Sequence, residues 1–87
     1  MRNDTSTDTV ALARAEALFV SDMPGMTHPE PADIAEAIRV AFRRYGGAHA
    51  CAAEMAAAFG DYPETSARRM TWARDQIDRL HPHSEVP

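Results

Sequence analysis

Between residues 9 and 81 the apolar positions recur in four runs with helical spacing, and no run alternates as a half-buried strand would. The first, over 9–21, places Val10, Ala11, Ala15, Leu18 and Phe19 on one stripe, with Asp8 as the predicted N-cap and Ser21 near the end. MPGMTHPEP follows, and three prolines with a glycine in nine residues forbid a continuous helix, so an ordered linker is expected. The second run, over 31–45, opens on Pro31 with Glu30 and Asp33 at its positive end. Its stripe is Ile34, Ile38, Ala41, Phe42 and Tyr45, and Gly46-Gly47 predicts a left-handed stop. The third, over 48–59, is rich in alanine, with Met55 and Phe59 as its large side chains and Gly60 as its predicted end.

The fourth run, over 63–81, is the longest. Asp61 with Glu64 three residues on reads as a capping box, Pro63 occupies the first turn, and His81-Pro82 closes it. At about 100° per residue, Ala67, Met70, Ala73, Ile77 and Leu80 form its core stripe. Arg68, Trp72, Gln76 and Arg79 line the opposite side, with Arg69 at the edge. The expectation is an all-α fold: one compact bundle of about four helices over 9–81, preceded by a disordered lead, 1–8, and followed by a flexible tail, 82–87. Eighty-seven residues leave no room for a second core, and a domain this small buries only about 60 to 65 per cent of the surface of its unfolded chain. Self-association as a homodimer would relieve that thin margin.

Charge sharpens this picture without deciding it. The net charge is −4, but residues 1–38 carry −5, residues 39–74 carry +3 and the remainder −2. The two halves can satisfy each other within the fold or between subunits, or leave a basic face for a phosphate backbone. The single cysteine, Cys51, excludes an intramolecular disulfide and suits a cytoplasmic location. VALARAEALFV contains Arg14 and Glu16, so it reads neither as a signal peptide nor as a membrane span.

Two readings compete for Trp72, the only tryptophan. A bundle would cover it with the first helix or the proline-rich linker and lay arginines over its ring. A binding surface would instead use Arg68, Arg69, Trp72, Gln76 and Arg79 as partner contacts, since Trp and Arg are enriched among interface anchors. The stretch FGDYPETSARRM adds a third reading, a DNA-binding helix-turn-helix. Ala56 and Gly60 supply its small residue and its turn. Counted without a gap, Asp61, Ser66 and Arg69 fall where apolar anchors belong. One inserted turn residue brings Tyr62, Ala67 and Met70 there instead. In that frame Glu64, Thr65, Arg68 and Arg69 approach DNA, and Arg43 and Arg44 touch phosphates. The acidic total and the lack of any lysine stand against it.

ALFVSDM at 17–23 and CAAEMAAAFGDYPETSARRMTWA at 51–73 resemble small uncharacterised helical proteins of GC-rich actinobacteria. The resemblance covers most of residues 17–73 and implies a bacterial origin and a shared helical fold, with no activity attached.

Catalytic and cofactor chemistry find little footing. His49 and Cys51 lie two apart on a helix and point in different directions, which defeats both a metal pair and a nucleophile pair. Cys51 reads as a small core residue. His81 and His83 belong to the tail. The four glycines form no phosphate-cradling pattern. Met23, Met26, Met55 and Met70 read as gap-fillers, though a methionine-rich groove accepts a partner helix. The sequence therefore predicts a non-enzymatic protein without metal, cofactor, membrane or small-molecule substrate. It would act through a protein partner or itself, with a DNA-binding regulator as the alternative.

Overall fold

The computed structural model describes the backbone of residues 4–80 and the side chains of residues 9–80. Four helices follow one another: α1 (Asp4–Val20), α2 (Pro31–Tyr45), α3 (Ala48–Asp61) and α4 (Pro63–Leu80), with no strand among the described residues. The fold is an all-α bundle. Met1 to Asn3, and the predicted last residue of the fourth helix, His81, with the tail after it, lie outside the described residues.

The centre of the bundle is α1, which packs against each of the other three helices, whereas α2 and α4 barely meet. A helix contacted from three sides cannot keep one polar face. Ala15, Ala17, Leu18 and Phe19 are accordingly all buried, three of them consecutive. Their small members let neighbouring backbones come close, and the Phe19 ring stacks on Phe59 of α3 at 5.8 Å between centroids. Ile34, Ile38 and Ala41 of α2 complete the core with Cys51 of α3 and Met70, Trp72, Ala73 and Ile77 of α4.

Several expected boundaries shift. α1 begins at Asp4, so Asp8 lies inside the helix and is not its cap, and Val10, expected in the stripe, is 55 % exposed. Residues 4–8, expected within a disordered lead, are helical, and acids suit the positive end of a helix. α3 runs through Gly60 to Asp61, since Gly60 keeps a helical backbone and only Tyr62 separates α3 from α4. Asp61 is thus the last residue of one helix and not the cap of the next, so the predicted capping box is absent. At Gly46 the predicted stop is present, with φ of 101° and its N–H donating to the Phe42 carbonyl at 2.9 Å.

The buried arc of α4 is wider than its predicted stripe and rotated from it. Ser66, Met70, Trp72, Ala73, Gln76 and Ile77 are buried, while Ala67 is exposed. A six-residue arc is needed because α4 is covered by α1 and α3 on one side and by the linker on the other.

Candidate functional site

The linker between α1 and α2, residues 21–30, is held down by two side chains of α4. At the end of α1 the carbonyls of the last turn have no partner within the helix, and that turn carries no basic residue. Arg69 supplies the missing positive charge from α4. Its Nε donates to the Phe19 carbonyl at 2.6 Å, and Nη2 is shared among the carbonyls of Met23 at 2.8 Å, Ser21 at 3.0 Å and Leu18 at 3.3 Å. Burial pushes the Arg69 guanidinium below its ordinary pKa, and Asp22 opposes that shift. Ser21 tightens the same turn by donating its hydroxyl to the Leu18 carbonyl at 2.6 Å and accepting from the Met23 N–H at 3.2 Å.

One turn further along α4, Trp72 is only 6 % exposed, and its indole Nε1 donates to the Thr27 carbonyl at 3.0 Å. The Arg69 guanidinium carbon stands 5.0 Å from the Trp72 ring centroid and 5.9 Å from that of Phe19. Gly25 crosses this stack so closely that a Cβ there would meet Arg69 Nη1 at 3.3 Å. Between these fixed points Met26 adopts φ of 65° and is 84 % exposed.

The pinned linker leaves an open groove on its α2 side, with a volume of about 570 Å³. Val20, Met23, Pro24 and Pro29 form one wall, while α2 contributes Ala37, Val40, Ala41 and Tyr45. Asp22, Asp33 and Glu36 stand around it. Arg44 also borders it and donates to Asp22 at 2.8 Å, a contact that raises its pKa. On the α4 side a further depression of about 380 Å³ lies between Met26, Thr27, His28 and the exposed Arg68, Thr71, Asp75 and Arg79.

These positions redraw the surfaces expected from the sequence. Of the five expected partner contacts, Arg68 and Arg79 are exposed. Trp72 and Gln76 lie inside, at 6 % and 2 %, and Arg69 is half-buried and bound to main-chain carbonyls. The correction has a simple cause: the linker folds back over the side of α4 that a helical wheel leaves open. Of the expected DNA contacts, Arg43, Arg44, Glu64, Thr65 and Arg68 are exposed, while Arg69 is withdrawn. The inserted frame fails as well, since Tyr62 is 69 % exposed and Ala67 exposed, with only Met70 inside. Of the ungapped positions, Ser66 is buried and Arg69 half-buried, while Asp61 is exposed.

The groove residues Met23, Ala37, Val40 and Tyr45 were not singled out as a surface by periodicity. A faint signal exists, because Ala37 and Val40 are apolar positions beside the main stripe of α2 and face the proline-rich segment. Cys51 is fully buried, with its Sγ donating toward the Ala41 carbonyl at 3.7 Å, and burial raises its pKa. Among the described residues no group of three or more His, Cys, Asp and Glu is placed to hold a metal ion, and no helix is long and apolar enough to cross a membrane. Comparison of the chain with known protein families, with curated proteins and with solved structures finds no match.

Proposed function

We propose that this chain is a small non-enzymatic interaction protein of the bacterial cytoplasm that acts by binding a protein partner, a second copy included. The observation that carries the reading is the open, largely apolar groove between the pinned linker and α2. Contiguous apolar surface left at the exterior of a small domain marks sites where another surface is received. The linker wall is fixed from behind by Arg69 and Trp72, which lowers the ordering cost of docking against it. The alternative, entry of α4 into DNA, has less support, because Arg69 is committed to carbonyls and Glu64 and Asp61 flank the helix entrance.

Native mass tests the reading. The full chain, tagged and expressed in a bacterial cytoplasm of its own kind, is expected to elute as a species heavier than one 9.6 kDa chain, with a second polypeptide or a second copy present in fixed ratio. A lone monomer across the micromolar range would overturn it. Saturable binding to duplex DNA that weakens steeply with salt would transfer the reading to DNA.

A further inference from the structure

We infer that the groove between the linker and α2 receives a basic amphipathic helix from a partner protein. The inference rests on the interaction reading above and names the chemistry of its partner.

The shape argues for a helix. On α2 the groove follows one continuous edge: Asp33 and Glu36, then Ala37, Val40 and Ala41, then Arg44 and Tyr45, in steps of three and four. From Asp33 to Tyr45 that edge is about 18 Å long at 1.5 Å per residue, the length of three turns. Met23, Pro24 and Pro29 face it across the groove, with Val20 at the end of α1. A long trough open along one side fits apolar side chains projecting at i, i+3, i+4 and i+7 from a partner helix. Compact ligands are held in sites that bury most of their surface. Met23 adds a flexible, polarisable wall that adapts to such side chains.

The charge argues for a basic one. Asp22, Asp33 and Glu36 line the groove with Arg44 and His28; Arg44 and Asp22 offset each other at 2.8 Å, which leaves Asp33 and Glu36 as its net charge. Glu30, exposed, follows directly after Pro29 of the linker wall. Glu36 bridges Arg39 in an exposed pair one turn apart, a contact weak enough to be exchanged for a partner's arginine or lysine. Acids in the first turn also suit the positive end of α2, which accounts for Asp33 but not for Glu36 further along. The groove therefore offers an apolar floor with acids, Glu30, Asp33 and Glu36, gathered toward the N-terminal end of α2, the complement of a helix that carries arginines or lysines beside an apolar stripe.

A second copy of this chain is a poorer occupant. α4 carries four of the nine arginines, but its apolar side is already used within the core by Met70, Ala73 and Ile77.

The test uses the full-length ¹⁵N-labelled chain and a fluorescent synthetic helix of about 14 residues, with Leu at i, i+3, i+4 and i+7 positions and Arg flanking the stripe. A twin peptide carries Glu in place of every Arg. Expected are a saturable anisotropy rise with the Arg peptide, amide shifts confined to residues 20–45, and binding of the Glu peptide weaker by about tenfold or more. Val40→Glu should abolish binding. The paired substitution Asp33→Asn with Glu36→Gln, both on exposed side chains, should weaken it several-fold while leaving the floor intact. Arg68→Ala on α4 should change nothing. Equal affinity for both peptides, or shifts centred on α4, would overturn the inference while leaving the chain an interaction protein. So would groove shifts that arise with protein concentration alone, which would seat a second copy there. Failure of both peptides alongside a monomeric native mass would remove the inference and the interaction reading together.

Discussion

Arg69 and Trp72, one turn apart on α4, form a single device: the guanidinium lies 5.0 Å from the indole centroid, and both side chains donate to main-chain carbonyls of the segment after α1. A charged fork on four carbonyls, two at the end of α1 and two on the proline-rich strap, and an indole on a fifth tie both segments to a helix nearly 50 residues later in sequence. The groove on the other side of that strap depends on them.

Arg69→Ala is therefore expected to destabilise the domain by about 3 kcal/mol, because it removes charge-assisted bonds and leaves half-buried carbonyls unpaired. Arg69→Lys should recover less than half of that loss. A lysine keeps the charge but has no planar fork to reach the Phe19 and Met23 carbonyls together. Denaturant unfolding of the two variants beside the parent chain measures both, and equal stability of Arg69→Lys and the parent would deny the fork its role.

Trp72 should emit as a buried indole. A blue-shifted spectrum, poorly quenched by soluble quenchers and unchanged with protein concentration, is expected of the isolated chain. Trp72→Phe, which keeps an aromatic ring but loses the donor to Thr27, should cost about 1 to 2 kcal/mol and raise hydrogen exchange in residues 21–30. A red-shifted, freely quenched signal in a folded chain would place the ring at the surface instead.

Gln76 is 2 % exposed, and its Oε1 has no hydrogen-bond partner in the protein. A buried acceptor left unpaired costs stability, and an apolar side chain of similar size removes that cost. Gln76→Leu is expected to stabilise the domain by about 1 kcal/mol, visible as a rise in Tm of roughly 4 to 8 °C for a domain of this size. A drop in Tm would indicate that the amide is satisfied in solution.

Glu16 gives the pH dependence. Partial burial raises its carboxyl pKa above the ordinary 4.5, so the folded chain holds that proton more tightly than the unfolded chain. The ionised carboxylate thus costs stability above the folded pKa, and the cost disappears as pH falls below the unfolded value. Glu16→Gln should stabilise the chain at pH 7 by less than about 1 kcal/mol, given the screening of a largely solvated group. The advantage over the parent should shrink toward zero near pH 4. Thermal melts of both chains across pH 4 to 7 check the sign, and an advantage that grows at acid pH would refute the assignment.

Local chemistry made much of the fold legible. The span of α2 follows from Pro31 at one end, Gly46 at the other and an apolar stripe between them, all of which act within a few residues. Pro24 and Pro29 likewise bar a continuous helix through the linker whatever surrounds them. Gly60 illustrates the opposite case. A glycine ends a helix only when the following chain needs the left-handed turn it permits, and that need depends on where α4 packs. The polarity of α4 likewise misplaces Ala67, which is exposed, and Trp72 and Gln76, which are buried. A helical wheel ranks positions by polarity, but Trp72 is buried by a linker whose path the wheel does not contain.

By itself the sequence determined an all-helical chain, the order of its four helices, the break at the prolines and the placing of Met70, Ala73 and Ile77 in the core of α4. Those follow from backbone propensity and spacing, which are properties of neighbours along the chain. Only the tertiary structure decided that α1 is enclosed, that Arg69 serves its carbonyls, that Trp72 lies beneath Thr27 and that a groove opens along α2. Each of these joins residues distant in sequence, and their energies come from carbonyls and rings meeting across the fold.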